Sequence, residues 1–255
     1  VNAASTVTVE DLPWGVRVLT LRSADGVNAL DRGLVSALGR ELEVVGSTPG
    51  IRAVILRGND RYFSSGADAR VIRDLLEGEL RPAELDLPRK VFAVPVPTLA
   101  CVEGNAIGGG LALALACDLL YVATEAKVTL NFVTFGLTPG MGTTALAALA
   151  FGQGRADEML LTGRIVRGEE LRSCPGMCAV EARDRLFGRV LDRASQLAGN
   201  PEAAVRLLKA GLVRRRIAAY EAAFVAERSM HEQALATPSL RESMEAFLRG
   251  ASQER

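Results

Sequence analysis

The chain of 255 residues is poor in the side chains that usually mark a metal or redox centre: it has one histidine and four cysteines. Only Cys174 and Cys178 lie close in sequence, with no second pair and no histidine near them. That spacing does not make a zinc site, so no metal is expected. Free thiols in a reducing cytoplasm are the plainer reading. Net charge is missing as well, since Lys plus Arg equals Asp plus Glu at 30 each. No global field favours nucleic acid or an anionic membrane, although a local basic patch stays open. No apolar segment has the length or flanks of a membrane span. The opening VNAASTVTVEDLPWG has neither a basic n-region nor an apolar h-region, so no signal peptide is expected there. Neither G-x-G-x-x-G nor G-K-[ST] spacing occurs at the glycine-rich turns, which argues against a dinucleotide or P-loop site. Repeats and low-complexity segments are absent too. A cytoplasmic protein without nucleic-acid or membrane partners is the expectation.

What is present is apolar and ordered. At 49% hydrophobic residues the chain can bury a sizeable core. GVRVLTLRS (15–23) predicts a strand with Val16, Val18 and Thr20 on one face and Arg17, Leu19 and Leu21 on the other. NALDRGLVSALGRELEVVG (28–46) follows, with Leu30, Leu34, Leu38, Leu42 and Val45 at helical spacing. Further strands are expected at 51–58, 97–104, 118–124 and 127–132. Strands alternating with helical stretches predict an α/β fold with crossover connections. After about residue 180 only helical periodicity remains. Asn200 and Pro201 predict an N-cap and first helical position, and the alanine-rich 217–236 a strong helix. We expect an α/β core over 1–195 and a helical region over 196–255.

Two glycine-bearing turns stand out. In RYFSSGADARVIRDLL (61–76), Gly66 closes a short loop and Asp68 heads a helical run. In EGNAIGGGLALALACDLL (103–120), three glycines lead into an apolar helix. A helix start exposes about four N–H groups without helical partners and carries roughly half a positive charge. Glycine lets a ligand approach those groups closely. Two such turns facing one point would make an oxyanion hole for an enolate or a tetrahedral species. Each alone is equally explained as a tight strand-to-helix turn.

FSSGADAR, GNAIGGGLALALACDLLYVA, FGLTPGMGTT and MLLTGRIVRGEEL, in that order, resemble the crotonase (enoyl-CoA hydratase/isomerase) superfamily over roughly residues 15–180. The C-terminal helices fit the same family. The resemblance implies a spiral of ββα units with a helical C-terminal trimerisation region, hence a homotrimer or a dimer of trimers. It also implies a thioester substrate whose carbonyl is held by two backbone amides, which fall on Ala67 and Gly109. No dissociable cofactor is implied. The substrate arrives on the phosphopantetheine of an acyl carrier protein or on CoA.

The sequence departs from the hydratases of that family at both of their glutamates. Ala112 stands at one position and Phe132 at the other. Adding water across a conjugated double bond needs a base and an acid, which these side chains cannot supply. Decarboxylation needs no carboxylate pair. Loss of CO2 drives electrons into the thioester carbonyl, where the amides stabilise a dienolate. It still needs a proton donor and a group that orients the leaving carboxylate. NFVTFGLTPGMGTT (131–144) and ERSMHEQ (227–233) resemble the decarboxylating homologues of polyketide β-branching cassettes. Those convert a glutaconyl thioester on an acyl carrier protein into a branched crotonyl-type thioester.

His231, the only histidine, matches the histidine of that second motif. Its ordinary pKa suits it to move a proton near neutrality. The stripe Tyr220, Phe224, Glu227, His231, Leu235 also fits a packed, satisfied residue. The comparable homologues carry a lysine on the helix after the first turn, and Leu75 stands opposite it here. Arg70 and Arg73 are the nearby cations that could hold a carboxylate, or could simply face solvent. Asn131, Phe132 and Thr138 complete the candidate substrate-binding residues. Two other readings stay open: a CoA-thioester isomerase or other crotonase with a different acid–base set, and an inactive scaffold member.

Overall fold

The computed structural model describes residues 5–80 and 86–253, so the outermost ends of the two expected regions, 1–4 and 254–255, lie outside it. The strands are β1 (Thr6–Leu12), β2 (Val16–Arg22), β3 (Ala53–Arg57), β4 (Tyr62–Ser64), β5 (Thr98–Val102) and β6 (Asn105–Ile107). β7 (Leu119–Ala123), β8 (Lys127–Thr129), β9 (Val166–Arg167) and β10 (Met177–Glu181) follow. They form a six-stranded sheet ordered β1-β2-β3-β5-β7-β10 and a four-stranded sheet ordered β4-β6-β8-β9. Consecutive strands divide between the sheets: β3 and β4, β5 and β6, β7 and β8 each place one strand in either sheet. Helix α2 (Ala69–Glu77) follows the first pair and α4 (Gly109–Ala116) the second. This is the repeated ββα architecture that the resemblance implied.

β2, β3, β5, β7 and β8 fall on segments the sequence predicts as strands, whereas β1, as long as β2, and β10 do not. β3, β5 and β7 are parallel neighbours with nearly every residue buried, which is why they read as unbroken apolar runs. β2 does not show the two-faced pattern expected from its alternation. It lies between β1 and β3, and both faces are covered; even Arg17 is buried, with Nε 2.7 Å from Asp11. Helix α1 (Arg32–Ser47) buries Leu34, Leu38, Leu42 and Val45, and Asp31 caps it by accepting Leu34 N–H at 2.7 Å. Leu30 belongs to the loop before the cap and pairs with Ala67 instead.

The C-terminal part is helical: α7 (Arg183–Ala198), α8 (Glu202–Ala236) and α9 (Pro238–Gln253). Short helices α3 (Leu87–Ala93), α5 (Thr143–Phe151) and α6 (Gln153–Thr162) complete the chain. The two helical segments expected near 200–213 and 217–236 are one 35-residue helix, α8. Asn200 does not cap it: Pro201 is the cap residue, without a side-chain bond, and the Asn200 carbonyl accepts from Arg52. Two cations anchor α8. Lys209 Nζ, buried, lies 2.7 Å from Asp118 and donates to Val96 O. Arg216 donates to the carbonyls of Leu115, Ala116 and Cys117 at the end of α4, a favourable place for a cation. Further along, Tyr220 is buried edge-to-face against Phe92 and donates to Asp86.

Candidate active site

The two glycine turns meet. Gly66 has φ +82°, and a Cβ there would stand 2.5 Å from Ile107 O and 3.3 Å from Gly109 N. Only glycine tolerates both the conformation and the approach. At Gly110 a Cβ would lie 2.4 Å from Ser64 O, so the third glycine lets α4 pack directly on β4. Leu30 N donates to Gly66 O at 2.8 Å and locks the first turn to the loop before α1. Gly109 opens α4, where its N–H has no helical acceptor. A Cβ built on Gly109 would stand 4.0 Å from Ala67 N. The amides of Ala67 and Gly109 therefore border the same small space.

That space opens into a cavity of about 90 Å³, enough for several water molecules or a short acyl group. Ala67, Gly109, Phe132, Thr138 and His231 all line it. Its walls are otherwise apolar, with Leu30, Val71, Ile72, Leu75, Leu87 and Met141 prominent. Among the described lining residues, only Thr138 and His231 carry a side-chain N or O.

Arg70, Arg73 and Asn131 lie elsewhere. On α2 the residues facing the cavity are Val71, Ile72 and Leu75, and helical periodicity turns Arg70 and Arg73 away from it. Arg70 is 66% exposed, with Nε 3.1 Å from Asp68, and Arg73 lines an outer groove with Arg32, Asp31 and Asp74. Asn131 precedes the 3-10 turn Phe132–Phe135; its Cα abuts Gly163, and its Oδ1 lies 3.6 Å from the place a Gly108 Cβ would take, beside the second glycine turn but outside the cavity lining. Ala112 is fully buried inside α4 and is not part of the cavity wall.

The Pro139–Gly142 turn brings Met141 inward. Met141 has φ +62°, and its Sδ lies 3.5 Å from the place a Gly109 Cβ would take. The turn leads into α5, whose first turn has no cap of its own. Glu227, from α8, fills that role. Its carboxylate accepts Gly142 N–H at 2.7 Å, Thr144 N–H at 2.8 Å and the Thr144 hydroxyl at 2.8 Å. Burial pushes the Glu227 carboxyl above its ordinary pKa, and these donors pull it partly back.

One turn later, His231 Nδ1 lies 3.0 Å from Glu227 O. A carbonyl only accepts, so Nδ1 carries the hydrogen and the neutral ring keeps its lone pair on Nε2. The ring edge meets Gly140, with Cε1 3.2 Å from a Cβ built there. Burial lowers the imidazole pKa below 6.5, partly offset by the Glu227 carbonyl. The stripe expectation on α8 misses what Glu227 does. A glutamate four residues before the histidine, on an otherwise apolar face, is the signal that could have found it.

Thr138 Oγ1 is buried with no hydrogen-bond partner among the described residues. No group of three or more His, Cys, Asp or Glu among the described residues could hold a metal. Two donor amides and one imidazole beside an apolar slot can polarise a carbonyl and move one proton.

Comparison with known proteins agrees with this arrangement. The enoyl-CoA hydratase/isomerase family model matches residues 12–252. A probable enoyl-CoA hydratase, echA8 of Mycobacterium bovis, is 29% identical over 234 residues, 91% of either chain. The bacillaene synthase decarboxylase PksI of Bacillus subtilis is 29% identical over 209 residues, covering 82% of this chain and 84% of its own. The crystal structure of the ECH2 decarboxylase domain of CurF from Lyngbya majuscula superposes with a TM-score of 0.87 at 27% identity, covering 94% of this chain and 98% of that one. With its glycine turns joined beside an apolar slot, and a family model matched over nearly its whole length, this chain belongs to the enoyl-CoA hydratase/isomerase family.

Proposed function

We propose that the chain decarboxylates a 3-methylglutaconyl-type thioester carried on an acyl carrier protein, giving a 3-methylcrotonyl-type thioester. The observation that carries this reading is a paired-amide site in a cavity whose wall, among the described residues, contains no carboxylate and one histidine. Similarity to two decarboxylases adds support. In this reading the thioester oxygen accepts hydrogen bonds from Ala67 and Gly109. The C4–C5 bond breaks and its electron pair forms C3=C4. The C2=C3 pair moves to C1–C2, and the carbonyl pair moves to the oxygen held by the amides. CO2 leaves neutral, and the negative charge crosses from the carboxylate to the oxyanion hole, where preorganised donors stabilise it most.

His231 then protonates C4 from Nε2. Because Nδ1–H is committed to the Glu227 carbonyl, the donor must be the imidazolium. A substrate anion favours that form. Imidazolium plus carboxylate becomes neutral imidazole plus product and CO2, so the charges balance. Protonation at C2 instead would give the β,γ isomer.

The exposed apolar residues Leu149, Leu208 and Leu212, which line one groove with Leu197 and Val205, support self-association as a homotrimer or a dimer of trimers. Among the described residues no helix is long and apolar enough to cross a membrane.

A second reading is favoured by the His231 tautomer: a neutral imidazole with Nε2 free is a base, which suits a CoA-thioester isomerase running through the same dienolate. Incubation with carrier-bound 3-methylglutaconate and mass detection of CO2 loss tests the first reading. Intact glutaconyl thioester together with isomerisation of a simple enoyl-CoA would replace it with the second.

A further inference from the structure

Resting on the reading of Ala67 and Gly109 as the amides that hold a thioester carbonyl, we propose that Met141 is a specificity-determining residue whose thioether limits the bulk of the acyl group next to that carbonyl. Among the described residues other than glycine, Trp14, Asn28 and Met141 have a left-handed backbone. Of these three, Met141 lines the cavity. Asparagine visits that region readily, whereas methionine does so against its own Cβ. At φ +62° the Met141 backbone is strained, and strain of this kind gathers at ligand sites.

The turn that carries Met141 is held on both sides. Glu227 accepts Gly142 N–H at 2.7 Å, and the Thr143 hydroxyl and amide both donate back to Gly140 O. The glycines that flank Met141 are set by α8. A Cβ on Gly140 would stand 3.2 Å from His231 Cε1, and one on Gly142 would overlap the Tyr220 ring. Helix α8 thus leaves little room for a side chain at either. The side chain between them turns to α4 instead, with Met141 Sδ 3.5 Å from the place a Gly109 Cβ would take. That place is also 4.0 Å from Ala67 N. The thioether therefore stands at the amide end of the slot.

Space there is limiting. The cavity measures about 90 Å³, against roughly 300–1,000 Å³ for clefts that take drug-sized ligands. Met141 is half-buried, and its unbranched stem fills an irregular gap closely. An acyl group with no substituent on C2 fits beside it. Methyl groups on C2 would have to displace the thioether or lift the carbonyl off the amides. A 3-methylglutaconyl thioester carries its branch one carbon further out and satisfies that limit.

The test uses S-acyl pantetheine thioesters that have neither a second carboxyl group nor a double bond, so that binding is read apart from any reaction. Butyryl, 2,2-dimethylbutyryl and octanoyl pantetheine are titrated by calorimetry into the wild type, Met141→Gly and Met141→Ala. Glycine adopts φ +62° without strain, so the first variant keeps the turn. We expect the wild type to prefer butyryl over 2,2-dimethylbutyryl by about 10- to 100-fold, the size of misfitted methyl groups in an apolar pocket. Met141→Gly should shrink that preference by about tenfold or more, and Met141→Ala, which keeps the Cβ, should fall between. Equal wild-type affinity for the two thioesters, or an unchanged preference in both variants, would overturn the proposal. So would a gain for octanoyl alone, which would put Met141 at the far end of the slot. These outcomes leave the CO2-release test of the decarboxylase reading untouched. Binding of none of the thioesters by the wild type would remove the paired-amide reading, and this proposal with it.

Discussion

The carboxylate of Glu227 accepts the backbone N–H of Gly142 at 2.7 Å across a separation of 85 residues. This bond joins the last long helix to the turn that carries Met141 and Gly140 into the cavity. His231 lies one turn further along the same face, where its Nδ1 meets the main-chain oxygen of residue 227, so one short stretch of α8 holds both the turn and the imidazole. Glu227→Ala would leave two N–H groups at the start of α5 without acceptors. At about 1–3 kcal/mol each, stability should fall by roughly 2–6 kcal/mol in chemical denaturation. Activity should fall even under conditions where the variant stays folded. A variant of wild-type stability would show that the cap is dispensable.

His231 gives a pH test with opposite signs for the two readings. As an acid it must be protonated, and burial lowers its pKa. The kcat/KM for decarboxylation should therefore fall as pH rises, with a midpoint below 6.5. As the base of an isomerase it must be neutral, and kcat/KM should rise with pH through the same midpoint. His231→Gln should lower the chemical step by about 10²–10⁴-fold in single-turnover measurements. It should leave product binding largely intact. The same depressed pKa affects stability. The unfolded chain binds the proton more readily, so the stability of wild type relative to His231→Gln should decline as pH drops from 6.5 towards the lower folded value.

Gly109→Ala separates folding from catalysis. The new methyl would meet Leu30 Cδ1 at 3.4 Å and Met141 Sδ at 3.5 Å, ordinary contacts, and would sit 4.0 Å from Ala67 N. The variant should fold with little loss, yet crowd the oxyanion site. A fall in kcat of about 10²-fold or more is expected, comparable to losing an oxyanion donor. Gly66→Ala, by contrast, should impair folding itself, since its φ is +82° and the methyl would strike Ile107 O. Circular dichroism melts alongside activity would tell these cases apart.

Placing a glutamate at position 112, where the resemblance implies one in the hydratases, should not give a hydratase. Ala112 is fully buried within α4 and does not border the cavity. Ala112→Glu would force a carboxyl into packed apolar surroundings, with destabilisation of about 2 kcal/mol or more. No hydration of a crotonyl thioester should appear. Measurable hydratase activity in this single variant would show that the cavity wall opens at α4.

Much of the fold can be read from residue patterns alone. β3, β5 and β7 are apolar runs because layers cover both their faces, and the α1 stripe emerges at its predicted spacing. β4, β6 and β9 have two or three residues each and sit beside glycine turns, too short for any period to show. β1 is an exposed edge strand with no apolar face to announce it. The outward turn of Arg70 and Arg73 follows from which side of α2 meets the core, which composition does not reveal.

The sequence by itself determined the family and the positions of the glycines in the two turns, and it puts Ala112 and Phe132 where the resemblance implies the hydratase glutamates. Each is a local property: a residue either has a Cβ or a carboxylate, or it does not. Only the tertiary structure decided that the Glu227 carboxylate caps a helix 83 residues away and that the His231 ring packs against Gly140. It likewise left Thr138 with a buried hydroxyl unpaired among the described residues. Those are relations between distant segments. Burial, hydrogen bonding and the direction of a pKa shift depend on which segments pack together, and no residue carries that in isolation.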